Sequence, residues 1–197
     1  MASNTEIANL AISHLGHGKE IADLDTENSA AANACRRYYE RARDMTLRDF
    51  AWPFATKIET LALKETSPTT EWAYSYYVPA DSLQVRKILS GVRTDYRESR
   101  VPYRLVTGYI YTDEVDAIAE YTYKVTDPAL FPQDFIMALS WRLAFYTAAR
   151  LTAGDPFKLR ESAMQMYRIE LSMAQANAFN EEQPDITPDS EFIRVRG

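Results

Sequence analysis

Four carboxylate side chains lie close together in the sequence, at Asp113, Glu114, Asp116 and Glu120. Two carboxylates that face each other across a cleft can serve as the general acid and the nucleophile or base of glycan hydrolysis. The same residues also suit a turn that leads into a solvated strand edge, where they would do no chemistry. We expect a solvated turn, and we keep a glycan hydrolase that uses a carboxylate pair as an alternative.

Two histidines, His14 and His17, lie three positions apart and could in principle share a metal ion. His14 falls near the apolar face of a predicted helix, and no acidic or cysteine ligand is suitably placed beside the pair. We therefore expect no metal site.

Arginines form a third candidate group, because Arg93, Arg97, Arg100 and Arg104 flank a predicted turn. Guanidinium groups bind carboxylates and phosphates through paired hydrogen bonds, and they also commonly solvate the face of a hairpin. We treat Arg93, Arg97 and Arg100 as candidate residues of a partner interface. A solvated hairpin face is the alternative.

The motifs that bind nucleotides or activate a serine are missing from the sequence. There is no glycine-rich phosphate loop, no GxSxG and no HExxH, and six glycines leave little scope for a nucleotide cradle. The single cysteine, Cys35, allows neither an internal disulfide framework nor a cysteine-based zinc cluster. We expect no cofactor and no enzyme activity.

The composition suits one domain of ordinary size, since 46% of the 197 residues are hydrophobic. No apolar run approaches the roughly 18 residues that a membrane span needs, and the start MASNTEIANL lacks the features of a signal peptide. We expect a protein made in the cytoplasm. The net charge of −6 gives no positive field to gather nucleic acid, although mild repulsion suits a surface past which DNA slides.

Helical periodicity occupies the N-terminal third of the chain. Ser3 and Glu6 offer a capping box ahead of a short helix that ends near Gly16. A long amphipathic helix follows and cannot continue through Pro53. Its predicted apolar face consists of Ala31, Cys35, Tyr38, Ala42 and Met45.

Between residues 56 and 125 the pattern alternates with the period of β-strands. The predicted strands are TKIETLAL, WAYSYYV, LQVRKIL, YRLVTGYIY and AIAEYTYKV. Turn and strand-break residues separate them, so we expect an antiparallel, meander-like sheet. Trp72, Tyr74 and Tyr76 share one face, and we expect such rings to stack across neighbouring strands.

The last third is helical again and begins at FPQDF, where Pro132 can occupy the first helical position. This third helix is apolar on nearly all sides, so we expect Trp141 and Phe145 in the core. Asp155 and Pro156 then begin a fourth helix, which should lie antiparallel to the third.

These elements together predict an α+β protein. Residues 1–55 and 126–180 should form an α-helical bundle of two N-terminal and two C-terminal helices. Residues 56–125 should form a central antiparallel β domain, and residues 181–197 an extended C-terminal tail.

The tail changes in composition to acidic residues and two prolines, and it cannot fold alone. Its end alternates apolar and basic residues like a strand that pairs with a sheet edge. The candidate interface residues here are Phe192, Ile193, Arg194, Val195 and Arg196. A plain extension without a docking role is the alternative.

Four pieces of sequence occur in a characteristic order: FAWPF at 50–54, WAYSYYVPADSLQV at 72–85, VTDPALF at 125–131 and LTAGD at 151–155. This ordered set resembles the head-to-tail adaptor family of tailed bacteriophages, which is related to tail tubular protein A of short-tailed phages. The resemblance spans most of the chain.

The resemblance implies a structural virion protein of the phage neck, made in the host cytoplasm. Such proteins assemble as homo-oligomeric rings, typically dodecameric, between the portal protein and the tail nozzle protein. Genomic DNA passes through the lumen without sequence-specific binding. The resemblance implies no catalysis, cofactor or membrane. A monomeric soluble protein-interaction module is a second alternative.

Overall fold

A computed structural model describes residues 2–89, 101–152 and 155–181. Within these ranges the chain is an α+β protein, which confirms the predicted fold class. The helices are α1 (Asn4–His14), α2 (Ala30–Asp49), α3 (Gln133–Leu151) and α4 (Pro156–Glu181). The strands are β1 (Thr56–Thr60), β2 (Leu63–Thr66), β3 (Tyr74–Tyr77), β4 (Ser82–Leu89), β5 (Tyr103–Val106), β6 (Tyr109–Thr112) and β7 (Ile118–Tyr123).

The chain divides into two compact units. Met1–Thr56 and Thr122–Phe179 form a helical unit, whereas Lys57–Tyr121 belong to a β unit inserted between α2 and α3. The helical unit therefore combines segments from both ends of the sequence. No helix in the part of the chain that the structure describes has the length and apolarity that a membrane span requires.

Local capping fixes where the helices begin. The Ser3 hydroxyl accepts a hydrogen bond from the Glu6 amide, and the Ser29 hydroxyl accepts one from the Ala32 amide. Both bonds satisfy amide groups that the first turn of a helix leaves without a partner. After α1, Gly16 adopts a φ of 73°, a left-handed conformation that glycine accepts readily. The predicted start and end of α1 are confirmed.

The core of the helical unit is centred on α3, which packs against α1 and α2. The buried side chains of α3 include Phe135, Leu139 and Leu143. On α2, Tyr39 and Thr46 are buried where the sequence suggested Tyr38 and Met45. Both sets have helical spacing and share Cys35 and Ala42, so the buried face is turned by one position from the predicted one.

The FAWPF segment forms a joint that ends α2. Trp52 is buried, and its indole Nε1 donates a hydrogen bond to the Thr46 carbonyl at 2.8 Å. Its ring lies edge-on to Phe50 and Phe135, with centroids 5.2 and 5.1 Å away. Pro53 then begins a short 3-10 turn, as expected of a residue that cannot continue an α-helix.

The β unit contains two sheets, so the prediction of one meander is wrong. One sheet has the strand order β2-β3-β6-β5 and the other the order β1-β7-β4. The division falls inside TKIETLAL, where the Leu61 amide bonds to Ala117 and the Ala62 carbonyl accepts from Tyr77. Since adjacent residues of this segment have different partners, one predicted strand becomes two.

The predicted strand YRLVTGYIY is a hairpin. Thr107 and Gly108 have φ values of 51° and 80°, the left-handed pair that joins strands through a tight two-residue turn. Across the strands, Tyr77 and Tyr109 make an edge-to-face contact and not the expected stack, with centroids 5.7 Å apart and planes 64° from parallel. Tyr76, in contrast, is buried on the other face opposite Ile110.

Helices α3 and α4 lie antiparallel, as the sequence predicts. Asp134 near the start of α3 accepts a hydrogen bond from Asn177, whereas Phe145 near its end lies beneath Arg160. Pro132 is the N-cap of α3 and not its first helical residue. The Asp155 carboxylate caps α4 by accepting from the Phe157 and Lys158 amides.

Candidate functional site

The predicted partner-interface residues lie outside the described residues. These are Arg93, Arg97, Arg100, Phe192, Ile193, Arg194, Val195 and Arg196. Of the four arginines around the predicted turn, Arg104 is described, and it is exposed on β5. The interface predictions for the other residues stay predictions.

The acidic group after β6 has largely structural contacts. The Asp113 carboxylate accepts a hydrogen bond from the Ala73 amide at 2.9 Å. Glu120 lies on β7 and forms an ion pair with Lys87 at 2.9 Å. The remaining members, Glu114 and Asp116, belong to the turn between β6 and β7. This arrangement fits the expected solvated turn.

His14 is held against an aromatic ring. Its imidazole stacks on the indole of Trp141, with centroids 3.6 Å apart and planes 5° from parallel. The Ser140 hydroxyl donates to the Met137 carbonyl, so its oxygen accepts from Nε2 of His14 at 2.9 Å. Burial lowers the pKa of His14 below its ordinary value, which favours the neutral imidazole.

Asp81 of the Pro-Ala-Asp segment connects strands of the three-stranded sheet. Asp81 precedes β4, forms an ion pair with Lys57 on β1 and accepts a hydrogen bond from the Tyr121 hydroxyl on β7. The Lys57 hydrogen bond is the main reason that the pKa of Asp81 lies below its usual range. One carboxylate thus contacts two strands of the sheet.

A polar cluster joins three helices inside the helical unit. Arg142 on α3 donates to Asp49 on α2 and to the hydroxyl of Tyr167 on α4. The Tyr167 hydroxyl in turn donates to Asp49 at 2.7 Å. Burial, reinforced by the bond to Asp49, raises the pKa of Tyr167, so the phenol stays protonated. The cluster is a structural tie and not a source of a phenolate base.

Nucleophilic and metal chemistry gain no support from the described residues. Cys35 is buried, which raises the pKa of its thiol to about 12 and keeps it from forming a reactive thiolate. Within residues 2–89, 101–152 and 155–181, no group of three or more histidine, cysteine or acidic side chains could hold a metal ion.

One groove of the helical unit lies between α1, with its N-cap Ser3, and the segment 20–22. Its polar walls are already joined, because the Asn9 side chain exchanges two hydrogen bonds with the backbone of Ile21 at 2.8 and 2.9 Å. The Thr5 hydroxyl likewise accepts from the Leu24 amide. This groove is a satisfied junction of the fold.

A second groove, here called the helical groove, opens between the end of α3 and the first half of α4. It has a volume of about 360 Å³. Its lining residues are Phe145, Phe157, Arg160, Glu161, Met164, Gln165 and Arg168. Phe157 is 78% exposed, and the Arg160 guanidinium lies 4.6 Å from the centre of the Phe145 ring. The groove thus combines an apolar floor with cationic edges.

The turn between β6 and β7, residues 113–116, is here called the acidic loop. It presents Val115, which is 57% exposed, between Glu114 and Asp116. The Tyr76 hydroxyl holds the loop from beneath by donating to the Glu114 carbonyl at 2.8 Å. Asp116 adopts a φ of 50°, a left-handed conformation that turns the chain back into β7. Val115 is therefore exposed on a turn whose backbone is held in place by a hydrogen bond.

Sequence reasoning missed Val115 and the helical groove. The acidic group predicts either carboxylate chemistry or a solvated turn, and neither interpretation gives a role to the apolar residue among them. On α4, Phe157, Met164 and Arg168 follow each other in steps of seven and four, which places them on one helical face. A second stripe beside the buried Ala163 and Tyr167 was therefore detectable from spacing alone.

No protein-family model matches this chain, and no curated protein matches it either. The candidate site is accordingly defined by its geometry. It consists of the helical groove, which has arginines at its edges, and Val115 of the acidic loop, which lies between two carboxylates.

Proposed function

We propose that the chain is a structural head-to-tail adaptor of a tailed phage. It forms a ring, typically dodecameric in that family, between the portal protein and the tail nozzle protein, with a channel for genomic DNA. It acts in the neck of the virion and catalyses no reaction. The resemblance of four ordered sequence pieces supports this assignment.

The observation that carries the proposal is the exposure of large apolar side chains on both units. Phe157 on α4 is 78% exposed, and Ile58 on β1 is 60% exposed. Apolar area that stays in water forgoes a stabilisation of about 25 cal/mol per Å², and concentrated exposure commonly marks contact surfaces. A protein whose task is assembly needs such surfaces.

The residues behind the resemblance have structural contacts. Trp52 closes the end of α2, Asp81 joins strands of one sheet, and Asp155 caps α4. Shared residues that determine a fold are what a purely structural protein would have in common with its relatives. The net charge of −6 supports a lumen that DNA passes without adhering.

Electron microscopy tests the proposal directly. The full chain should be mixed with the portal protein encoded in the same genome, with portal rings alone as the control. We expect added ring-shaped density on one face of the portal. A chain that stays monomeric by mass beside intact portal rings would contradict the proposal and favour a monomeric interaction module.

Polysaccharide turnover tests the absence of catalysis. We expect no turnover of purified capsular or cell-wall glycan by the wild-type chain. Turnover that is lost in Asp116→Asn or Glu120→Gln would show that the carboxylates are catalytic, and would replace the structural assignment with a glycan hydrolase.

A further inference from the structure

We propose that the helical groove of one copy receives the acidic loop of a second copy, with Val115 in the groove and the flanking carboxylates on its arginines. This inference rests on the proposed ring for its biological setting, and it names the contact by which one subunit meets the next. The partner is a second copy of this chain because both halves of the contact occur in the same sequence.

The apolar parts of the two surfaces complement each other. The groove has a volume of about 360 Å³, with walls from Phe145, Phe157 and Met164. Val115 is a single branched side chain that projects from the tip of a turn, so it can enter an open groove without displacing backbone. Methionine adapts its shape to an entering group, which suits Met164 to this wall.

The charges are complementary too. Arg160 and Arg168 lie at the groove, accompanied by one acidic residue, Glu161. Among the described residues, no carboxylate lies within ion-pair distance of either arginine. Glu114 and Asp116 flank Val115 and would meet these guanidinium groups as Val115 enters. Ion pairs of this kind, partly withdrawn from water, fix the orientation of a contact.

The loop needs little reorganisation before it binds. Tyr76 is buried and bonds the Glu114 carbonyl, while the Asp113 carboxylate bonds the Ala73 amide. Both bonds hold the backbone on the N-terminal side of Val115, and on its C-terminal side the Ala117 amide donates to the Tyr76 hydroxyl at 3.5 Å. A preformed loop loses less conformational entropy on association than one that must first be ordered.

The contact joins two different surfaces, so it is head-to-tail. Each copy offers one acidic loop and one helical groove, and each can therefore contact two neighbours. A head-to-tail contact closes into a ring when its rotation divides a full turn, whereas a two-fold contact stops at a dimer. This geometry is what a subunit of a many-membered ring requires.

Disulfide trapping tests the contact even if it is weak. Val115→Cys and Phe157→Cys are made as separate full-length variants, mixed, and oxidised mildly. Native Cys35 is buried and its thiol has a raised pKa, so it does not compete. We expect the mixture to give a disulfide-linked heterodimer at least about tenfold faster than Leu105→Cys mixed with Phe157→Cys. Leu105 is a matched control because it is also about half exposed, at 54%.

Charge exchange gives a second readout on the same mixture. Arg160→Glu in the Phe157→Cys protein should slow trapping, and Asp116→Arg in the Val115→Cys protein should restore it. Equal trapping rates for the Val115 and Leu105 pairs would overturn the inference. Rings on the portal without Val115–Phe157 trapping would also overturn it while leaving the adaptor function intact. Trapping without portal binding would support the contact and contradict the adaptor.

Discussion

His14 lies flat on Trp141 with its Nε2 hydrogen-bonded to Ser140, an environment that an exposed histidine does not have. Burial lowers its pKa below the ordinary value of 6.5, so a proton added to the ring is better accommodated in the unfolded chain. The unfolded state therefore binds more protons than the folded state as the pH falls through 6.5 towards the lowered pKa. The stability that His14 contributes is present above this window and lost below it.

Replacement of His14 should flatten the pH dependence of stability. We expect the free energy of unfolding of the wild type to fall more between about pH 7.5 and 5 than that of His14→Gln, because glutamine does not titrate. Urea unfolding at both pH values measures the difference. His17→Gln is the matched control. Parallel losses in wild type and His14→Gln would refute the role of His14.

Tyr167 tests the polar cluster of the helical unit. Its hydroxyl accepts from Arg142 and donates to Asp49, so Tyr167→Phe removes two hydrogen bonds while keeping the ring. We expect a loss of about 1–3 kcal/mol in the free energy of unfolding, because buried polar groups lose a partner. Thermal and urea unfolding measure it. Tyr38→Phe, at a half-buried ring, should cost less than about 0.5 kcal/mol.

At the scale of elements, α3 shows how an apolar helix is divided between core and surface. The side chains of Leu139 and Leu143 are fully buried, whereas Trp141 and Phe145 are half-buried. The expectation that these two aromatic residues lie in the core is therefore wrong. The ring of Trp141 stacks on His14, and the ring of Phe145 lies beneath Arg160.

Alanine substitutions on the two sides of α3 should differ in their effect on the free energy of unfolding. We expect Leu139→Ala to cost about 2–5 kcal/mol, since it leaves a cavity in a packed core. Phe145→Ala should cost about 1 kcal/mol, because its ring already contacts water. Denaturant unfolding of both variants checks this order. If Phe145→Ala lowers the free energy of unfolding as much as Leu139→Ala does, the ring of Phe145 is part of the core.

The sequence predicts where the helices begin, but it does not predict which distant strand or side chain each element contacts. The starts of α1 and α4 follow from Ser3 and Asp155, whose side chains bond amides two or three residues away. TKIETLAL could not be divided in advance, because its two halves differ only in which distant strand they meet. The site depends on tertiary placement in the same way: nothing beside Phe157 in sequence reveals that Phe145 lies across the groove.

At the scale of the whole molecule, the net charge of −6 opposes self-association of the free chain. We expect a monomer of 22.5 kDa at low micromolar concentration, with rings forming only on the portal. A subunit that closed early would compete with ordered assembly. Analytical ultracentrifugation of the isolated chain checks this, and a stable closed ring at that concentration would contradict it.

Deletion of residues 182–197 tests the predicted docking role of the C-terminal tail. The segment is acidic and proline-containing before its FIRVR end, so it should contribute contact only when a partner is present. We expect an unchanged melting temperature and weaker attachment to portal rings. Undiminished affinity for the portal would contradict the docking role of the tail. Loss of folding would show that the segment is part of the core.

The insertion of the β unit has a consequence for the order in which the chain folds. Asp49 meets Arg142 and Tyr167 across sequence separations of 93 and 118 residues, so the helical unit cannot close while translation is still in the strands. The insertion enters through β1 and leaves through β7, which are neighbours in one sheet. Once that sheet forms, the loop between α2 and α3 is effectively short, and each halving of a loop lowers its closure cost by about 0.6 kcal/mol. The helical unit therefore closes at the lowest entropic cost after the β unit has folded.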